Sequence, residues 1–143
     1  VSNFTTAQTR ALASFLNAPI VSHQPEWSPL HLAPIFDGVA DQALEQRMAV
    51  LAWSPLGGGR VAEPTTDRER EVARLLDSKA DEAGVDRAAA TYSWIMAHPA
   101  RPIPIIGTQN PARIAKAADA YRPRWTRVEW YAVLQASMGE KLP

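Results

Sequence analysis

Residues 49–61 read AVLAWSPLGGGRV. An apolar run without alternation ends at Trp53 and passes into Ser54, Pro55, Leu56 and three consecutive glycines. An unbroken apolar run is the pattern of a strand covered on both faces, as in a parallel sheet flanked by helices. The strand is expected over 48–53. Two further runs resemble it. PIVSHQ, at 19–24, carries β-branched Ile20 and Val21 and is broken by Pro25; PIPIIG, at 102–107, carries Ile103, Ile105 and Ile106 and ends at Gly107.

Helical spacing fills the intervals. Thr5 or Thr6 caps a first helix, with Ala11, Leu12, Phe15 and Leu16 as its stripe and its end at Asn17 and Pro19. A second is predicted over 37–47, with Val39, Ala40, Leu44 and Met48 on one side. A third covers 68–83, carries Val72, Leu75, Leu76 and Ala80, and stops at Gly84. Asp86 caps the next, which Pro99 ends, and Asn110-Pro111 opens another. Thr126 and Glu129 form a capping box at the start of the last. Strands alternating with helices imply parallel strands joined by right-handed crossovers, an α/β fold.

At 143 residues the chain has the size of one domain and enough length to bury a core. Fifteen acidic and fifteen basic residues balance with no like-charge block, which argues against a nucleic-acid or polybasic membrane partner. There is no cysteine, which excludes disulfide and thiol chemistry and suits a reducing, cytoplasmic setting. No apolar run approaches the roughly 18 residues of a membrane span. The first ten residues lack the pattern of a signal peptide.

In α/β folds the ligand site lies at the carboxyl ends of the strands. The polar and glycine-rich exits therefore supply the candidates: Ser2, Asn3, Gln24, Trp53, the 54–59 loop, and residues 107–113. Consecutive glycines let backbone N–H groups approach a phosphate, and Trp53 offers a flat face to a ring. The first turn of the helix after Asn110-Pro111 suits an anion, and Arg113 there can bond a phosphate in bidentate fashion. His23, His31 and His98 have no metal-ligand spacing, and His98 suits a helix C-terminus as a cation. Trp94, Trp125, Trp130 and Tyr131 have the spacing of core residues.

VSNF, a strand ending in Q-x-E-x-S-P, AWSPLGGG and PIIGTQNPARI occur here in the order and spacing of the C-terminal half of an aldo-keto reductase. WTRVEWYAVLQASMG, at 125–139, resembles the tail of the bacterial oxidoreductases of that superfamily. The resemblance covers residues 1–143 and implies the C-terminal part of a (β/α)8 TIM barrel, a single and incomplete domain. It implies an NADP(H)-dependent reductase of aldehydes or ketones, with a small carbonyl compound as substrate. Ser2, Asn3 and Gln24 would hold the nicotinamide carboxamide. Trp53 would stack on the nicotinamide, where most members have Tyr. Ser54, Leu56 and Gly58 would line the pyrophosphate. Gly107, Thr108, Gln109 and Arg113 would hold the adenosine end, with Arg113 on the 2′-phosphate. Two departures stand out. Gly107-Thr108-Gln109 occupies the place where many members carry Lys or Arg, and Ala117 replaces an Asn that meets the adenine.

The family's Tyr, Lys, Asp and His catalytic set lies on the first half of the barrel, and nothing here matches it. Tyr92, Tyr121 and Tyr131 fall in the wrong region. The chain starts inside the exit of the family's fifth strand and reads as clipped. Two readings follow: the cofactor-binding part of a whole reductase, or an inactive half-barrel nucleotide-binding or association module, whose open edges would favour a homodimer. A third reading is a structural fragment that binds nothing. Trp27 and the region after Trp53 are the visible candidates for a substrate pocket.

Overall fold

The computed structural model describes residues 1–140. Three short strands, β1 (Ser22–His23), β2 (Ala49–Ala52) and β3 (Ile103–Pro104), form a parallel sheet in the order β1-β2-β3. Ser22 pairs with Ala49, and Leu51 with Ile103. The N-terminal segment adds to the β1 edge, because Ser2 bridges Gln24 in parallel and the Gln24 N–H bonds the Val1 carbonyl at 2.9 Å. Pairing also resumes beyond Pro25. Proline has no N–H to give, but the Pro25 carbonyl accepts from the Trp53 N–H at 3.1 Å and Glu26 bridges Trp53.

The helices are α1 (Thr6–Ala13), α2 (Ala33–Phe36), α3 (Val39–Gln46), α4 (Asp67–Ala83), α5 (Arg87–Met96), α6 (Pro111–Ala117) and α7 (Arg127–Met138). The architecture is α/β, parallel strands with flanking helices, a partial barrel. Thr126 closes its expected capping box with Glu129, Asp86 accepts from the Ala89 N–H as expected, and Gly84 ends α4 in the left-handed region. Thr66 closes a further, unforeseen capping box with Glu69.

The burial pattern corrects several expectations. β2 is covered on one face among the described residues: Val50 and Ala52 are buried, whereas Ala49 is exposed and Leu51 half-exposed. Ile103 and Ile105 lie open on the same side as Leu51. That open apolar side is the inner face of the partial barrel. α1 stops at Ala13, before Asn17, as the chain tightens into i→i−3 bonds from Phe15 to Leu12 and Leu16 to Ala13. Phe15 is 85% exposed; the residue α1 buries is Thr9. The one-turn α2, with Pro34 in its first turn, precedes α3 unforeseen. Leu44 is exposed because the buried face of α3 runs through Val39, Ala40 and Ala43, about 100° away around the helix.

The core gathers Trp27, Met48, Val50, Val72, Leu76, Trp94, Ile95 and Val133. Trp94 belongs there as expected, and Trp125 and Trp130 pack against it, Trp125 donating its indole N–H to Ser93 Oγ at 3.2 Å. Tyr131, by contrast, is 43% exposed. Trp27 is fully buried, which removes it as a substrate-pocket residue. His98 packs its ring against the edge of Trp27, 4.9 Å between centroids, and its Nδ1 accepts from the Ala100 N–H. Burial pushes its pKa down, so it is a neutral acceptor and not a cation on the helix dipole.

Two carboxylates tie stability to acid pH. Glu129 is held to a pKa of about 2, first by the Lys79 ammonium at 2.7 Å and then by the Thr126 N–H and hydroxyl. Glu69 is also held to about 2, by the Thr65 and Thr66 N–H groups and the Thr65 hydroxyl. Both folded-state values lie below the ordinary 4.5. Their contribution is therefore present above pH 4.5 and lost as pH falls towards 2. Denaturant midpoints should fall through this window. The deficit of Glu129→Gln relative to wild type, clear at pH 6, should shrink towards pH 2. A deficit that does not change with pH would show that Glu129 does not carry this term.

Candidate functional site at the strand ends

Four of the residues singled out in the sequence meet where the first three parallel segments end. Asn3 and Ser54 both stand at strand exits with positive φ, 54° and 50°. Ser2 Oγ donates to the Gln24 backbone carbonyl at 2.9 Å, and the Asn3 N–H bonds the same carbonyl at 3.2 Å. The Trp53 indole N–H donates to Asn3 Oδ1 at 2.8 Å. Ser2, Asn3, Gln24 and half-buried Trp53 thus form one cluster of amide, hydroxyl and aromatic groups.

A cleft of about 740 Å³ opens beside it, and Ser54, Leu56, Gly58, Gly107, Thr108 and Arg113 line it. Gln109 is exposed and lies outside that lining. Residues on the β2 exit and the β3 exit therefore converge, as the order of the strands requires.

The glycine loop differs from the expected open cradle. Gly57–Gly59 form one 3-10 turn with φ of 60°, 68° and 93°, which is why all three are glycine. Their N–H groups are already used within the loop. Gly57 donates to the Ser54 carbonyl, Gly58 to Ser54 Oγ at 3.0 Å, and Gly59 to the Leu56 carbonyl. Arg60 Nε donates to the Gly57 carbonyl at 3.0 Å and pins the turn further. A Cβ at Gly58 or Gly59 would meet nothing within 4 Å. The loop is a low wall whose three glycine amides are already spent, and the Ser54 hydroxyl proton is not used within it.

The α6 N-terminus is similarly self-satisfied. Asn110 Oδ1 accepts from the Ala112 and Arg113 N–H groups at 2.9 and 3.3 Å. An anion at this end must therefore meet side chains. Arg113 is one. Lys116 is a second, unforeseen in the sequence, on the same wall of the cleft. Its spacing of three from Arg113 places both on one helix face. Among the described residues neither makes an ion pair, whereas Arg60, also on the wall, is held by Glu69 at 3.3 Å. Glu63 and Asp86 line the cleft as well, with Asp86 committed to capping α5. Tyr92 lines it too; it is 7% exposed, and its burial pushes the phenol pKa up. Among the described residues no three His, Asp or Glu side chains group as a metal site, and no helix is long and apolar enough to cross a membrane.

Comparison with known proteins gives the chain's family. Residues 1–134 match the family model of the Aldo/keto reductase family. The 6-dehydroglucose reductase of Novosphingobium aromaticivorans is 52% identical over the whole chain, which covers 47% of that protein. The uncharacterized oxidoreductase YcsN of Bacillus subtilis is 35% identical, again over the whole chain and 48% of its own length. The chain spans about half the length of these curated relatives. Among solved structures, the thermostable aldo-keto reductase Tm1743 in complex with the inhibitor epalrestat superposes with a TM-score of 0.81 at 19% identity. That match covers 95% of this chain and 47% of the other.

Proposed function

The chain belongs to the aldo/keto reductase family, and we propose that it forms the cofactor-holding part of an NADP(H)-dependent reductase of aldehydes or ketones. The observation that carries the reading is the convergence at the strand ends. A cluster of Ser2, Asn3, Gln24 and Trp53 adjoins a cleft whose wall presents two cations, Arg113 and Lys116, that make no ion pair among the described residues. A nicotinamide adenine dinucleotide phosphate has this polarity, an aromatic carboxamide at one end, a pyrophosphate in the middle and a 2′-phosphate on the adenosine at the other.

In this reading Trp53 supplies the stacking face, and Ser2, Asn3 and Gln24 orient the carboxamide. Ser54, Leu56 and Gly58 flank the pyrophosphate. Gly107, Thr108 and Arg113 take the adenosine end, with Gln109 at its rim. A reduced nicotinamide held here would supply a hydride to the carbonyl carbon. The proton for the carbonyl oxygen must come from a general acid, and none of the residues lining the cluster is placed to give one. That acid is assigned to the remaining part of the barrel. The relative at 52% identity is named 6-dehydroglucose reductase, which makes a sugar-derived aldehyde the first substrate class to assay.

The test is a titration of the protein with NADPH followed by tryptophan emission, with Trp53→Phe identifying the part of the signal that comes from Trp53 among the five tryptophans. Saturable quenching with micromolar midpoint supports the reading, and absence of any binding overturns it. Oxidation of NADPH by 6-dehydroglucose then separates the enzyme from an inactive nucleotide-binding module, which would bind without turnover.

A further inference from the structure

The hydrogen bonds inside the Ser2–Asn3–Gln24–Trp53 cluster do more than hold it together, because they decide which atoms are left over. An indole N–H can only donate. The Asn3 atom 2.8 Å from Trp53 Nε1 is therefore the carbonyl oxygen Oδ1, and the amide cannot turn over without breaking that bond. The Asn3 NH2 group is left as a pair of donors. The Asn3 backbone is fixed as well, at φ 54° with its N–H on the Gln24 carbonyl. Ser2 has spent its hydroxyl proton on that same carbonyl at 2.9 Å, so its oxygen is left as an acceptor.

The cluster thus presents donors from Asn3 and an acceptor from Ser2. A primary carboxamide is the complement, with a carbonyl oxygen for Asn3 and an N–H for Ser2. A carboxylate is not, since one of its oxygens would face the Ser2 lone pairs. We propose that Trp53 is a positioning residue whose indole N–H locks the Asn3 amide in the orientation that reads a primary carboxamide. This inference rests on the reading of the site as a nicotinamide dinucleotide site. It gives the tryptophan edge a role separate from its ring face. A tyrosine or phenylalanine offers a face but no N–H at this edge.

The experiment uses Trp53→Phe, which keeps an aromatic face and removes the donor. Dissociation constants are measured by calorimetry for NADP⁺ and for its nicotinic acid counterpart, which carries a carboxylate in place of the carboxamide. Wild type should prefer the carboxamide. Trp53→Phe should lose about threefold to tenfold in NADP⁺ affinity and less for the acid, so that the ratio collapses. In an Asn3→Ala background Trp53→Phe should leave the ratio unchanged. In the ligand-free protein the Trp53 indole proton should be exchange-protected by NMR, and Asn3→Ala should remove the protection. Should Trp53→Phe not fold, Trp53→Tyr takes its place, since it keeps an aromatic face without an N–H at this edge, and should lower the ratio in the same way. An unchanged ratio in the variant that folds, or an indole proton indifferent to Asn3→Ala, overturns the proposal. A wild type that binds neither dinucleotide overturns the functional reading itself, whereas binding with an unaltered ratio overturns this inference alone.

Discussion

Trp94→Ala is expected to cost about 3–5 kcal/mol of folding stability, enough to unfold a chain of ordinary marginal stability. Trp94 lies on α5 with no exposed surface, and its ring stacks on Trp130 of α7 at 4.9 Å and 9°. The two residues also exchange hydrogen bonds. The Trp94 indole N–H donates to the Trp130 carbonyl at 3.1 Å, and the Trp130 indole N–H to the Trp94 carbonyl at 3.0 Å. Alanine removes the ring, opens a cavity beside Ile95 and Val133 of the core, and leaves the Trp130 carbonyl without that donor. Trp94→Phe separates the two effects, because it keeps most of the ring and loses the N–H. Its cost should fall to about 1 kcal/mol, that of one lost hydrogen bond to a carbonyl that keeps its helical partner. Phe15→Ala, at a residue 85% exposed, should stay within about 0.5 kcal/mol. Urea midpoints for the three variants check the series. A loss below about 1 kcal/mol for Trp94→Ala would mean that the α5–α7 seam does not hold this fold together.

The contrast between Phe15 and Trp94 also marks where the sequence is readable. Helix starts are local, since a Thr and a Glu three apart satisfy each other wherever the helix lies; Thr126 was legible for that reason, and Thr66 carries the same signal unread. The strand exits were legible because chain alternation places them at one end of a parallel sheet. Burial is not local. Phe15, Leu44 and Leu51 are as apolar as Val50, and what covers each depends on elements far along the chain. The glycine loop invited a phosphate-cradle reading, yet its amides close on Ser54 and Leu56, a choice the three φ values express and the letters do not. The Trp53–Asn3 bond joins residues 50 positions apart and has no sequence signal at all. Lys116 does have one, its spacing from Arg113, but that spacing is weak because solvated lysines on helices are common.

Arg113→Ala should weaken NADPH binding by about 10- to 100-fold and leave NADH binding nearly unchanged. The cleft leaves few alternatives for a 2′-phosphate. The Gly57, Gly58 and Gly59 amides are spent within their turn, and those of Ala112 and Arg113 on Asn110. Arg60 is drawn to Glu69 and the Gly57 carbonyl. Glu63 and Asp86 add negative charge to the same lining, which opposes a dianion. Side-chain cations on α6 must offset that, and Arg113 and Lys116 are the ones without an ion-pair partner among the described residues. Lys116→Ala should move NADPH affinity in the same direction by a smaller factor, since an ammonium makes no bidentate contact. The salt dependence of NADPH binding should flatten in both variants, because part of the screened attraction is gone. Titration of each variant with NADPH and NADH decides among three assignments. Selective loss of NADPH places the 2′-phosphate at Arg113. Equal loss of both cofactors places the shared pyrophosphate there instead. No loss of either removes the adenosine end from α6 and leaves the nicotinamide cluster as the anchored half of the site.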